Sequence, residues 1–246
     1  MENREFFNRI DDLRDRAARR GLLTHTPFLT PAEQYALSSY YRGGDMVLFG
    51  GQQGCERQAA FFLPEYMDVT AFDPGEYLRA IQIEAHFGTP GHRDYLGAML
   101  GLGLNREALG DVRIEGDTAW VFCLPPAAAL LLEELHKVGR LGVKVTPCAL
   151  EQVPPPLQQV KKLSFTVKSL RLDAVLSALF GISRTAAAEQ IRLGNATLNY
   201  APCLKPDAPV QPGDVLSLRG HGKGRIVALG NRSRKDRQFV EGEVFV

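Results

Sequence analysis

The sequence predicts an α+β protein of several domains, and three observations support this prediction. Between residues 77 and 150, helix and strand patterns alternate in the order βαββαβ, which is the split βαβ plan. Residues 168–229 instead begin with two short helices and continue with strands. Between them, Val153-Pro-Pro-Pro156 forms a stiff connector. We therefore predict an N-terminal helical region with a β-hairpin, a middle domain, a proline-rich linker and a C-terminal domain that ends in a strand extension. These lie at residues 1–74, 75–152, 153–162 and 163–246.

The N-terminal region begins with two predicted helices. Residues 2–20 carry one apolar stripe among charges. Thr30, Pro31 and Glu33 provide an N-cap, a proline at N1 and a first-turn acid for the second helix. Two strands and the glycine-rich turn between them are predicted at residues 46–49, 57–63 and 50–54. The turn lacks the Lys-Ser/Thr pair of a phosphate-binding loop, so a hairpin is favoured.

The middle domain has the element order that RNA-recognition motifs also use. Its strands and helices are predicted at residues 78–86, 92–102, 111–115, 119–124, 125–137 and 141–147, in the order βαββαβ. Trp120 and Phe122 share one strand face, and two interpretations stay open for them: stacking on bases or packing in the core. Arg93, at the start of a helix, is predicted to contact RNA or a neighbouring domain.

The C-terminal domain begins with two helices whose ends are well marked. Apolar residues recur at the spacing of one buried helix face from Leu172 to Leu179. Gly181 suits the end of this helix, and Ser183 is an N-cap for a second helix over residues 184–193. Short strands and a basic glycine loop complete a small bent sheet, at residues 196–200, 215–219, 226–229 and 220–225.

Positive charge is concentrated in this last domain. Residues 157–246 contain 14 Lys/Arg and 7 Asp/Glu, a net charge of +7, whereas the remainder has a net charge of −6. A polyanion would therefore bind to the C-terminal part. Nine cations are predicted to contact phosphate or sugar, the last two as secondary contacts: Arg171, Arg184, Arg192, Lys205, Arg219, Lys223, Arg225, Lys161 and Lys162.

Cysteine spacing and hydropathy narrow the class of protein. The four cysteines are far apart and form no CxxC pair, so reduced thiols are expected, with no metal site and no other cofactor. The chain begins with charged residues and has no apolar run of 18, which predicts a cytoplasmic protein without a membrane segment.

The C-terminal motifs resemble the S4 RNA-binding domain. The motifs occur in the order Arg171-Leu-Asp173, Ser183-Arg184, Gly194 and Gly213-Asp214. The resemblance covers about 60 residues. It implies binding to ribosomal RNA.

A longer resemblance, to the YlmH-like proteins, covers the chain end to end. It is carried by the stretch Gly91 to Asp111, by Arg42-Gly43-Gly44, by Glu56-Arg57 and by the basic run Arg219 to Arg225. One departure is Leu198-Asn199-Tyr200, where relatives tend to have a Val-Asn-Trp run. The resemblance implies an N-terminal region, an RRM-like middle domain and a C-terminal S4 domain.

This second resemblance also implies a non-enzymatic protein on the large ribosomal subunit, in ribosome-associated quality control or the handling of obstructed subunits. RNA is then the expected partner, ribosomal RNA first, with tRNA left open. We expect a monomer and no small-molecule substrate.

Two other functions stay open at this point. Arg171-Leu172-Asp173 resembles the Gly-Arg-Leu-Asp run of pseudouridine synthases, although Leu170 replaces the glycine and little chain remains for a synthase domain. YlmH-like proteins are also tied to cell-division gene neighbourhoods, which suggests a protein-interaction factor that uses the acidic two-thirds of the chain.

Overall fold

The computed structural model describes residues 2–41, 43–156 and 160–245. Arg42, in one of the YlmH-like motifs, lies outside the described residues, as do three residues of the predicted linker. The chain divides into two compact units, Met1–Pro156 and Leu157–Val246. Each unit has its own hydrophobic core, and the α+β class predicted for the chain is confirmed.

The first unit begins with two helices and a three-stranded sheet in the order β1-β3-β2. These elements are α1 (Glu2–Arg20), β1 (Thr24–His25), α2 (Pro31–Tyr40), β2 (Met46–Phe49) and β3 (Ala59–Phe62). The predicted start of α2 is confirmed, because the Thr30 hydroxyl accepts a hydrogen bond from the Glu33 amide and the Thr30 amide donates to the Glu33 carboxylate. The predicted β-hairpin is also confirmed, since β2 and β3 pair antiparallel.

The middle domain forms a five-stranded sheet in the order β5-β6-β4-β8-β7. Its elements are β4 (Arg79–Ala85), α3 (His92–Gly101), β5 (Leu109–Glu115), β6 (Thr118–Cys123), α4 (Pro125–Glu134), β7 (Lys137–Val138) and β8 (Leu141–Cys148). The four main strands follow the split βαβ plan, as predicted. The prediction was wrong only at the end of α4, where Lys137 pairs with Gly142 in a short hairpin instead of continuing the helix.

This sheet is covered on both faces at one end. Ile81, Ile83 and Val121 point towards α3 and α4 in the main core. The alternate residues Ala80 and Phe122 point the other way, into a cluster with N-terminal residues. A Cβ on Gly51 would lie 2.2 Å from Phe122 Cδ1, so only glycine allows the hairpin turn to pack this closely.

The second unit has two helices on a six-stranded sheet in the order β11-β10-β12-β13-β14-β9. The elements are β9 (Val160–Val167), α5 (Leu172–Phe180), α6 (Arg184–Arg192), β10 (Ala196–Leu198), β11 (Ala201–Pro202), β12 (Val215–Leu218), β13 (Gly222–Arg232) and β14 (Gln238–Phe245). The two predicted helices are confirmed. Leu176, Ile191 and Leu216 lie in a core between the helices and one face of the sheet.

The predicted glycine loop at residues 220–225 is largely a strand. Most of it belongs to β13, where Gly224 pairs with Val244. A Cβ on Gly224 would lie 2.7 Å from the Glu243 carbonyl oxygen, so glycine is required here by close backbone approach and not by a turn. Strand β9 begins at Val160, inside the range predicted as linker, and pairs along its length with β14.

Asn199 anchors the turn between β10 and β11. Its backbone has φ 50°, and that of Tyr200 has φ 67°. Asn199 Nδ2 donates to Asp214 Oδ1 at 2.8 Å, and Asn199 Oδ1 accepts from the Val215 backbone amide at 2.9 Å. An asparagine suits this position because it tolerates a left-handed conformation and satisfies both groups.

We expect Asn199→Ala to lower the free energy of unfolding of the second unit by about 2 kcal/mol, since two hydrogen bonds are lost and alanine is strained at positive φ. Asn199→Gly keeps the backbone unstrained and should lose about 1 kcal/mol less. Hydrogen exchange at amides of β12 measures the loss. Equal stability of the wild-type and alanine forms would show that this turn is not an anchor.

Candidate nucleic-acid interface

A buried carboxylate joins two arginines where the helices of the second unit begin. Asp173 lies in the first turn of α5 and is 4% exposed. Arg171 Nη2 and Arg184 Nε both lie 3.1 Å from Asp173 Oδ2. Each arginine makes a second bond to Oδ1, from Arg171 Nε at 3.2 Å and from Arg184 Nη2 at 3.3 Å. Two guanidinium groups from different helices are thus held in one cluster.

The cluster keeps its charges and presents them to solvent. Burial by itself raises the pKa of Asp173, but hydrogen bonds and charge from Arg171 and Arg184 outweigh burial and hold the pKa below its ordinary value. The bond to Asp173 in turn raises the pKa of Arg171. The side chains of Arg171 and Arg184 remain 39% and 51% exposed, so they can still contact a phosphate.

Two neighbouring features lie beside this pair. The Ser183 hydroxyl accepts from the Ala186 amide at 3.1 Å and caps α6 where Arg184 begins. The Leu172 and Asp173 amides donate to the carbonyls of Ala208 and Pro206 at 2.9 Å. The segment that carries the exposed Lys205 therefore runs along the start of α5. We call Arg171, Arg184 and Lys205 the helix-side cations.

A second set of predicted contacts lies on the other face of the sheet. Arg225 pairs with Glu243 across β13 and β14, and Glu243 pairs with Lys162 of β9, so the three side chains share one face. Arg225 Nη2 is 2.7 Å from Glu243 Oε2. Lys223 lies on the same face, with its ammonium 5.0 Å from the centre of the Phe245 ring. We call Lys162, Lys223 and Arg225 the sheet-side cations.

The remaining predicted contacts lie between or outside these sets. Arg192 is exposed in the last turn of α6. Arg219 follows β12, and its amide donates to the Asn195 carbonyl at 2.8 Å. Arg219 and Lys223 line one shallow depression with Thr197. Lys161 is exposed and points away from Lys162, because adjacent strand residues alternate.

The nine predicted cations therefore do not form one surface. Helices cover one face of the sheet, and the sheet-side cations occupy the opposite face. A single RNA helix lying flat on the helix side would contact Arg171 and Arg184 but not Arg225. The sequence showed which residues are basic, whereas their division into two faces depends on strand pairing over long separations.

The three residues predicted as middle-domain contacts also differ in how exposed they are. Phe122 is fully buried, in a cluster with Phe28 and Phe61, so of its two interpretations core packing is correct and base stacking is wrong. Trp120 is half-buried against the same cluster, and its contact with RNA stays a prediction. Arg93 is exposed in the first turn of α3.

The carboxylates that position cations were not predicted from the sequence. Asp173 was recognised only as part of a motif, and Glu243 was not considered, although it is 8% exposed and pairs with Arg225. An acidic residue in an alternating apolar strand such as β14 is the signal that could have indicated a buried ion pair.

Two other properties bear on function. Among the residues that the structure describes, no group of three or more His, Cys, Asp or Glu side chains is arranged to hold a metal ion. Over the same residues, none of the helices has the length and apolar character needed to cross a membrane.

Each of the two units contains a region that matches a known protein family. Residues 75–152 match the family described as "Putative RNA-binding domain in YlmH", and residues 170–216 match the S4 domain. The chain therefore contains a region similar to the RNA-binding domain of YlmH, followed by an S4 domain. The match to S4 contains both members of the arginine pair and Asp173, and the resemblances stated from the sequence are confirmed.

Two relatives extend the comparison. This chain is 29% identical over 220 residues to the "Ribosome-associated protein quality control protein P2" of Bacillus subtilis (strain 168), and the match covers 89% of this chain and 86% of the relative. A solved structure, "Cell division protein ylmH from Streptococcus pneumoniae", has a fold similar to 63% of this chain and 96% of its own, with a TM-score of 0.51 and 18% identity.

The role of Asp173 can be tested by removing only its charge. We expect Asp173→Asn to reduce RNA affinity several-fold although net positive charge rises, because the two arginines lose the carboxylate that orients them. Fluorescence anisotropy with a ribosomal RNA fragment measures this, and tighter binding by the variant would show that net charge alone matters.

The same substitution should change the pH dependence of stability. The lowered pKa of Asp173 means that its contribution to folding is present above the ordinary carboxyl pKa and is lost as pH falls through the folded-state pKa. Wild type should therefore be more stable than Asp173→Asn at neutral pH, by about 1–3 kcal/mol. The difference should vanish in acid.

Proposed function

We propose that this chain is a non-enzymatic protein that binds structured ribosomal RNA of the large subunit. It would act in the cytoplasm, in ribosome-associated quality control or translation. The observation that carries the proposal is the Asp173-bridged pair of Arg171 and Arg184 inside the S4 match. Pre-oriented guanidinium groups bind phosphate bidentately and lose little side-chain freedom on binding.

Charge and the named relative support the same proposal. The second unit carries the net positive charge that a polyanion requires. The relative from Bacillus subtilis is named for ribosome-associated protein quality control. Contacts of this kind recognise the shape and backbone of folded RNA more than its sequence.

The test is co-sedimentation of the full chain with large ribosomal subunits across a salt series. We expect binding to fall with salt, and Arg171→Gln or Arg184→Gln each to reduce the salt slope by about one. Lys161→Gln, on a different part of the unit, should have a smaller effect. Wild-type protein that remains unbound at low salt would remove the large subunit from the proposal.

Pseudouridine synthesis is disfavoured by the position of Asp173. A catalytic aspartate must reach the substrate, whereas this carboxylate is buried and bonded to two arginines. We infer that Asp173 positions the arginines. An isotopic assay for uridine isomerisation that depends on Asp173 would reverse this inference.

A role at the division site is the second candidate, and it is favoured by the structural relative from Streptococcus pneumoniae, which is named as a cell division protein. In that case the first unit, which carries most of the acidic residues, would bind a division protein. A partner captured equally well after ribonuclease treatment and in high salt would support this candidate over RNA binding.

A further inference from the structure

The second face of the middle-domain sheet is only partly covered. At one end, Ala80 and Phe122 are buried beneath N-terminal residues such as Phe28. Further along β4, the residues on this face are polar, and Glu84 is exposed. The face that a split βαβ sheet would offer to RNA is thus closed at its apolar end and open at the other.

The loop after β4 and the β7–β8 hairpin are neighbours at the open end. The His86 amide donates to the Gly142 carbonyl at 3.1 Å. A Cβ on Gly142 would lie 3.3 Å from His86 Cδ2, so the imidazole lies over this glycine. Lys137 pairs with Gly142 in the hairpin, and Lys144 follows two residues later on the same face.

The two neighbouring segments carry one exposed aromatic ring and three exposed cations. Phe87 is 82% exposed, the highest value among the large apolar side chains in the described part of the chain. Lys137, Arg140 and Lys144 are all exposed, and over the described residues no carboxylate lies within ion-pair distance of them. Glu84 is opposite Lys144 in the strand register, on the same face of the sheet. We call His86, Phe87, Lys137, Arg140 and Lys144 the hairpin-edge patch.

We propose that the hairpin-edge patch binds an unpaired stretch of RNA. Phe87 would stack on a base while Lys137, Arg140 and Lys144 contact the adjoining phosphates. This inference rests on the proposed RNA-binding function and extends it to the first unit, at residues that the sequence did not indicate.

The chemistry of the patch favours an unpaired RNA over other partners. A ring that contributes little to the core is free to stack, and every base offers a π-face for this. Bases in an RNA duplex are already stacked and lie in grooves, so one exposed phenylalanine suits a loop or a bulge. The three cations complement a phosphate backbone.

Arg93, predicted from the sequence as a middle-domain contact, lies near this patch along the chain. The helix α3 begins at His92, directly after the loop that carries Phe87, and packs beside β7. Trp120 is two strand residues from Phe122 and is half-buried, so it lies closer to the covered end. The hairpin-edge patch therefore lies at the other end of the sheet from the covered end, and RNA contact by Trp120 stays a separate prediction.

The experiment uses the full chain carrying Arg171→Glu and Arg184→Glu, so that binding by the helix side is removed. The probe is a fluorescein-labelled oligouridylate of about 12 nucleotides, a length within the range that single-strand sites occupy. Anisotropy measures affinity, and ultraviolet crosslinking followed by mass spectrometry identifies the contact peptide. We expect the crosslinked peptide to contain Phe87.

Two sets of substitutions distinguish the contribution of stacking to RNA affinity from the contribution of charge. Phe87→Ala should weaken binding about tenfold, whereas Phe87→Tyr, which keeps the ring, should retain affinity within about twofold. Replacing Lys137, Arg140 and Lys144 together by Gln should reduce the salt slope by about two. The matched control replaces Arg16, Arg19 and Arg20 together by Gln, at exposed positions towards the end of α1 in the same unit.

Three outcomes would overturn the inference: no oligouridylate binding by the parent chain, equal affinity after Phe87→Ala, or equal binding of an RNA duplex. None of these depends on the ribosome experiment. If wild type does not sediment with large subunits even at low salt, the proposed function fails, while binding of oligouridylate to the patch can still be tested.

Discussion

We expect the double substitution Arg171→Glu, Arg184→Glu to reduce affinity for large ribosomal subunits by about a hundredfold or more at moderate salt. Each replacement removes a phosphate contact and introduces a charge that phosphate repels. The two arginines also lie within 3.1 Å of the same carboxylate oxygen, so their replacement brings two acids towards the buried Asp173. The loss of phosphate contacts, the repulsion of phosphate and the disorder at the starts of the helices therefore all lower the affinity.

This result is interpretable only with controls for folding and for net charge. Arg171→Gln with Arg184→Gln removes the contacts without adding acids, and circular dichroism of both variants checks that the second unit is folded. Arg234→Glu with Lys235→Glu changes net charge equally at exposed positions between β13 and β14. If this control variant lost as much affinity as the arginine variant, total charge and not the helix-side cations would govern binding.

Local signals in the sequence were sufficient to predict where the helices α2 and α6 begin. Thr30 and Ser183 cap α2 and α6 as their positions predicted, because an N-cap bonds to an amide only three residues away. A C-terminal strand extension was predicted, but no strand was placed at the residues of β14. Its partner β9 lies more than 70 residues earlier in the chain, and such pairing leaves no local trace in either segment. For this reason we predicted only a small sheet for the C-terminal domain, whereas the sheet in the structure has six strands.

The sequence was sufficient to predict which residues belong to the candidate site. It was not sufficient to predict how they are arranged in space. Arg171 and Asp173 are two residues apart, so their pairing could be anticipated, but Arg184 joins them only through the packing of α5 on α6. For Trp120 and Phe122, alternation showed that they share a face of the strand. It could not show that N-terminal residues cover that face at Phe122 and leave Trp120 half-buried.

We expect Asp111→Ala to destabilise the first unit by about 3–5 kcal/mol, because this buried carboxylate accepts from two backbone amides and pairs with a largely buried arginine. Asp111 accepts from the Glu56 amide at 2.8 Å and the Arg57 amide at 3.0 Å, and it forms an ion pair with Arg113 at 3.2 Å. The side chains of Asp111 and Arg113 are 8% and 15% exposed. Removing the acid leaves a buried guanidinium without its counter-charge.

Neighbouring arginines should increase the destabilisation caused by Asp111→Ala. Burial, with a further contribution from the charge of Arg57, already lowers the pKa of Arg106, whereas Asp111 acts to raise it. Without Asp111, the positive charges of Arg57, Arg106 and Arg113 would lose the carboxylate that interacts with all three residues. The carboxylate thus ties the turn before β3 to strand β5, and its removal should loosen the N-terminal hairpin from the middle-domain sheet.

Trp120 provides the measurement, since it is the only tryptophan and packs in the cluster that joins these parts. Urea unfolding followed by its fluorescence gives the free energy of unfolding of the first unit. Asp111→Asn retains an acceptor and should lose less, and Asp12→Ala, at an exposed position on α1, should change stability by less than about 0.5 kcal/mol. An Asp111→Ala protein as stable as the Asp12→Ala control would show that the three donors find other partners.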